Sequence, residues 1–220
     1  MDTRKNKRKS NIFWHSLLLF LLSFFLTGCQ SSTPEIPTEI QLSRQEVPVS
    51  LKIDNITPNQ FNNFLKYLQD FNYLNDYLLD NVHQVIFTND LSPYLFNQSE
   101  HLIGGFMDVN TRDIYIDISQ YDSLVLAHEC MHVFDYYGDD NRSDTSYSLT
   151  EEWKNLYQEE SQNLIDTTSI PINNATPSEG FVTCMINYRY MTGTMKEVAP
   201  NMYQYFNRIV EENRGEKLEE

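Results

Sequence analysis

Positive charge is what this sequence lacks. Its 220 residues carry 16 Lys and Arg against 31 Asp and Glu, a formal net charge of −15. So acidic a surface repels phosphate backbones and anionic headgroups, which argues against nucleic acid as a partner and against adsorption to anionic lipid. Long apolar runs are also missing. The longest, Ile12 to Leu26, has 15 residues, short of the ~20 a helix needs to cross a bilayer. No internal repeat is visible, so the chain is read as one domain with its own core.

The first residues are not part of that core. Arg4, Lys5, Lys7, Arg8 and Lys9 precede the apolar run, and Leu26-Thr27-Gly28-Cys29 follows it. A basic region, an apolar stretch and small residues describe a secretory signal peptide over 1–28. The ending resembles the lipobox of bacterial lipoproteins, which implies cleavage before Cys29 and a lipid on its sulfur. The domain would then sit on the extracellular side of the cell membrane, anchored through Cys29. Removing 1–28 takes away five of the 16 basic and one of the 31 acidic residues, leaving 11 against 30, a net charge of −19. Residues 29–50 are rich in Ser, Thr, Pro and Glu and read as a flexible tether. The remaining thiols, Cys130 and Cys184, are either a disulfide or two buried free cysteines.

From residue 51 to about 215 the pattern is that of an α+β domain. Thr57-Pro58 opens a helix carrying Phe61, Phe64, Leu65, Leu68, Phe71, Leu74 and Leu78 at helical spacing. Strands follow at Val82–Thr88, at Leu102–Val109 around Gly104-Gly105, and at Ile114–Ile118, which alternates strictly. A helix over Asp122–Tyr137 ends at Gly138, and a polar loop covers Asp139 to Ser148. Thr150 caps the next helix. Thr176-Pro177-Ser178-Glu179 reads as a capping box opening another, and a last helix follows Pro200.

The chemistry is carried by His128-Glu129-Cys130-Met131-His132, an H-E-x-x-H inside an apolar run. Four residues apart on a helix, the two imidazoles lie about 40° apart around the axis and about 6 Å along it. One tetrahedral Zn²⁺ can accept both, with room for a third ligand and a water. Glu129, about 100° round from His128, can act on that water as general base without ligating the metal. The bland alternative is a pair of hydrogen-bonded core histidines, costly to bury beside a carboxylate without a shared purpose. Spacing leaves the third ligand open among Glu151, Glu152, Glu159, Glu160 and Glu179. Glu152 suits a thermolysin-like spacing, and Glu179 is also the N3 residue of its capping box. Asp135 is either a solvated helix residue or an acceptor for a ligand imidazole N–H. His83 and His101 read as ordinary histidines.

Over about Ile114 to Glu211 the chain resembles the lethal-factor-like zinc metallopeptidases, which include the anthrax toxin protease domain and the clostridial Pro-Pro endopeptidases. The resemblance rests on His128-Glu129-Cys130-Met131-His132-Val133-Phe134-Asp135, Glu159-Glu160-Ser161-Gln162-Asn163-Leu164, Thr176-Pro177-Ser178-Glu179-Gly180-Phe181, and Ala199-Pro200-Asn201-Met202-Tyr203-Gln204-Tyr205-Phe206-Asn207. It implies a zincin-like metallopeptidase domain over 51–215, a small sheet packed on the H-E-x-x-H helix and a helical C-terminal half. Zn²⁺ would be held by His128, His132 and Glu179, with Glu129 catalytic. The expected activity is zinc-dependent endopeptidase hydrolysis of a peptide or protein substrate by a monomer. The chain departs from the family twice: Met131 stands where Gly is usual, and Ile172 where the family's catalytic Tyr would be. No Tyr occurs between Tyr157 and Tyr188. That second departure supports the alternative, a catalytically weak or inactive zincin-fold lipoprotein that binds a surface partner.

Overall fold

Five short strands form one mixed sheet: β1 (Gln41–Arg44), β2 (Val47–Lys52), β3 (Gln84–Thr88), β4 (Gly105–Asp108) and β5 (Asp113–Asp117). They are ordered β1-β2-β3-β5-β4. The central trio β2, β3 and β5 is parallel, and each edge strand is antiparallel to its neighbour. The computed structural model describes residues 41–44, 46–53, 55–94, 104–138, 146–170, 172–173 and 175–215. The signal peptide, Cys29 and His101 lie outside them.

The tether expected over 29–50 is too long, because β1 and most of β2 fall within it. Val47, Val49, Leu51 and Ile53 alternate into the core, all at most 4% exposed, and that period-2 pattern is the strand signal. Pro48 does not interrupt the central sheet, since pairing with β3 begins only at Val49. The domain therefore starts near Gln41.

Helices cover the sheet and build the rest. Helix α1 (Pro58–Tyr73) opens with a full capping box between Thr57 and Gln60 and buries Phe64, Tyr67, Leu68 and Phe71. It stops at Tyr73 with Leu74 as its C-cap, and a one-turn helix, α2 (Asp76–Leu79), carries Leu78, the last residue of the expected apolar stripe. Helix α3 (Val125–Tyr137) holds the H-E-x-x-H motif and packs against β4 and β5. A Cβ on Gly105 would come within 2.8 Å of the Tyr115 carbonyl and within 3.0 Å of Val125, so the glycine is what lets the first turn of α3 close onto β4. Helix α3 ends at Gly138 as expected, yet in right-handed geometry (φ −65°). The space there, not a left-handed turn, calls for glycine, since a Cβ would meet Tyr147 at 3.0 Å.

Tyr147 begins a 3-10 turn, Tyr147–Leu149, where a loop was expected. Its ring stacks on Phe134 of α3 (centroids 5.4 Å) and on Phe181 (5.9 Å) of α5 (Pro177–Tyr190). Helices α4 (Glu151–Thr167), α6 (Thr192–Val198) and α7 (Pro200–Gly215) complete the C-terminal half around Trp153, which is 2% exposed. Helix α7 is capped from a distance. Glu160 of α4, itself buried, accepts from Asn201 N (3.2 Å), Asn201 Nδ2 (2.8 Å) and Met202 N (2.9 Å), and its charge complements the helix dipole. Glu160→Ala would leave these donors without their acceptor, so it should destabilise the domain by roughly 2–4 kcal/mol. Thermal unfolding should drop by about 5–12 °C, and an unchanged midpoint would refute the capping role.

Candidate metal centre

Helix α3 supplies two imidazoles and the start of α5 supplies a carboxylate. Thr176 caps α5 by accepting from Glu179 N at 3.2 Å. The Glu179 side chain faces the histidines across from it, with Oε2 3.4 Å from His128 Nε2 and Oε1 3.2 Å from His132 Nε2. The two Nε2 atoms are 3.1 Å apart. A tetrahedral site with metal–ligand bonds of ~2.0–2.1 Å has ligand atoms about 3.3 Å from one another. The two Nε2 atoms, 3.1 Å apart, lie near that edge length, and the Glu179 carboxylate meets each of them with a different oxygen, at 3.4 and 3.2 Å. His128, His132 and Glu179 thus form a cluster able to hold a metal ion.

The orientation of His132 is fixed from behind. Ser178 Oγ donates to Asp135 Oδ2 at 2.7 Å, and His132 Nδ1 lies 3.0 Å from the same Oγ. With the hydroxyl proton committed to Asp135, the serine oxygen accepts, so Nδ1 carries a proton and Nε2 is the nitrogen turned to the cluster. Asp135 also accepts from Ser148 N at 2.7 Å and is 1% exposed. Asp135 therefore acts on the ligand histidine, through a serine rather than directly. Burial raises its pKa against the lowering effect of these hydrogen bonds. Ser178→Ala breaks the relay while leaving His128, His132 and Glu179 in place, and should weaken any metal binding by the cluster about 10–100-fold. Competition against a chromophoric chelator measures it, and unchanged affinity would remove Ser178 from the site.

Glu129 lies beside the cluster at 6% exposure and takes a hydrogen bond from the Met107 amide of β4. It opens onto a cleft of about 290 Å³ with His128, Gly105, Leu124, Val125 and Ile170 among its walls. Burial raises its pKa, opposed by the neighbouring His132 and His128. Glu179 moves the other way, held well below the carboxylate range by hydrogen bonds from His128 and His132. For His132, burial favours the neutral form, but the hydrogen bond to Glu179 and the surrounding carboxylates outweigh it, and its pKa is raised.

The other candidates are engaged elsewhere. Glu152 pairs with Arg208 at 2.5 Å and Glu151 with Lys154 at 2.8 Å. Glu159 is exposed and Glu160 caps α7. His83 meets Asp113 at 2.6 Å. Met131, the departure from Gly, is fully buried. Cys130 and Cys184 are free and buried, and do not form a disulfide. Tyr188 packs on Tyr203 and Phe206, while Tyr190 lines a separate cavity with Asp70 and Arg189, so neither takes the place of the missing Tyr.

Two contributors were not expected from the sequence. Ser178 lay inside the recognised Thr-Pro-Ser-Glu stretch, but nothing in its spacing pointed to His132. Asn173, whose Nδ2 donates to Glu179 Oε2 at 2.9 Å, had no signal beyond its closeness to Glu179 in the chain. No protein-family model matches the chain, and no curated protein matches it. Among the described residues no helix is long and apolar enough to cross a membrane.

Proposed function

We propose that this protein is a zinc-dependent metalloendopeptidase of the lethal-factor-like group, with a zincin-like domain tethered to the outer face of the cell membrane by lipid on Cys29. The convergence of His128, His132 and Glu179 with Glu129 beside them carries this reading. A zinc ion held by the three ligands would supply a Lewis acid for the scissile carbonyl and acidify a water. Glu129 takes the proton of the attacking water, a role suited to a carboxylate whose pKa burial has raised. It then returns that proton to the leaving amine. Strand β4 is at the sheet edge, so an extended peptide can add to it by backbone hydrogen bonds and lie across Glu129.

The second reading is a surface binding protein with the same fold, favoured by Ile172 and by the distant packing of Tyr188. The two separate on one experiment. The full chain in detergent micelles, incubated with a diverse peptide library, should give cleavage that a chelator abolishes and added Zn²⁺ restores. No cleavage at any zinc concentration would overturn the peptidase reading and favour the binder.

A further inference from the structure

Peptide hydrolysis gathers negative charge on the carbonyl oxygen, and a fixed donor aimed at that charge is often the largest single contribution a protein makes. Around the cluster, Ser178 gives its only hydroxyl proton to Asp135, the Tyr136 hydroxyl is engaged with Ser178, and Thr183 Oγ1 donates to the Glu179 carbonyl at 2.8 Å. Asn173, one residue past Ile172, has two amide protons and spends one of them on Glu179.

The Asn173 amide has a fixed orientation. Its Oδ1 accepts from Ala175 N at 3.0 Å, so the acceptor end faces its own loop. Its Nδ2 therefore faces the ligands, 2.9 Å from Glu179 Oε2. That contact uses one of two amide protons. The residue is exposed, so the second proton is open to a bound substrate. The Asn173 amide, oriented by these two hydrogen bonds, brings a donor beside the cluster, where a carbonyl under attack would gather charge.

We propose that Asn173 is a catalytic residue, donating from Nδ2 to the scissile carbonyl oxygen as that oxygen becomes negative; the assignment rests on the peptidase reading. The water oxygen bonds to the carbonyl carbon, the C=O π pair moves onto oxygen, and the water proton passes to Glu129. The C–N bond then breaks with its pair on nitrogen, which takes the proton back from Glu129, while the carbonyl re-forms. Asn173 neither gains nor loses a proton. It lowers the energy of the charged stage only, so its effect falls on kcat rather than on KM.

The test uses zinc-loaded full-length chain and the best-cleaved library peptide. Asn173→Ala removes the amide, whereas Asn173→Asp keeps the acceptor for Ala175 N and deletes the donor. Assayed at zinc concentrations that saturate each variant, both should lower kcat about 10²–10³-fold with KM within about twofold. A phosphinic analogue of that peptide, which mimics the tetrahedral stage, should lose affinity by the same factor as kcat/KM. Wild-type cleavage that disappears in Glu129→Gln yet persists undiminished in both Asn173 variants overturns the assignment and leaves the peptidase reading standing. A loss of rate that saturating zinc restores makes Asn173 a positioning residue for Glu179 and also overturns it. A wild type that cleaves nothing overturns both.

Discussion

Glu129→Gln should, on the proposed peptidase reading, reduce peptide cleavage by about 10²–10⁴-fold, the range a general base supplies, while zinc content stays at the wild-type level. The substitution is nearly isosteric at a site only 6% exposed, and the amide oxygen can still accept from Met107. What disappears is the ability to take a proton from water and carry it to the leaving nitrogen. The charge lost lies beside the cluster, not in it, since the residues able to hold the metal are His128, His132 and Glu179. Rate and metal content should therefore separate cleanly, by steady-state kinetics on one side and elemental analysis on the other. Cleavage at the wild-type rate would show that another group moves the proton.

Glu179→Gln should have the opposite signature, with metal lost first and activity lost as a result. An amide oxygen is neutral and a poorer ligand than a carboxylate, so affinity should fall by more than the 10–100-fold expected for an outer hydrogen bond. The fold should be unaffected, because the cap of α5 uses Thr176 and the Glu179 backbone, not its side chain. Glu152→Gln is the control: Glu152 is paired with Arg208 on the surface, and its loss should leave zinc binding unchanged. Titration against a competing chelator distinguishes the two variants. Wild-type affinity in Glu179→Gln would mean that the carboxylate only neutralises the histidines.

Much of this architecture could be read from short-range signals. Thr57-Pro58, Thr150 and Thr176-Pro177 mark helix starts because a side-chain oxygen and a missing N–H act within one turn. The alternation Ile114 to Ile118 marks a strand for an equally local reason. The pair His128 and His132 is legible because four residues are about one turn. Glu179 was different: its spacing left it one of several candidates, and its place beside the histidines follows from how α5 packs on α3. Ser178 and Asn173 are invisible for the same reason, since their roles depend on which residues face them across the fold. The strands β1 and β2 were missed because the preceding proline-rich composition masked four alternating apolar residues from Val47 to Ile53. Helix α6 offers little signal, with Gly193 and two threonines in its seven residues.

The aromatic sandwich around Tyr147 bears on the order in which the site is completed. One ring face rests on the helix that brings the histidines, and the other on the helix that brings the glutamate. Ring stacking within the apolar interior thus helps to set the distance between the two halves of the cluster. In small zinc domains the metal organises the chain and chelation unfolds it. On the proposed reading the aromatic scaffold holds these helices together with or without the ion, so stripping the metal should silence the centre and leave a folded receptacle ready to be refilled.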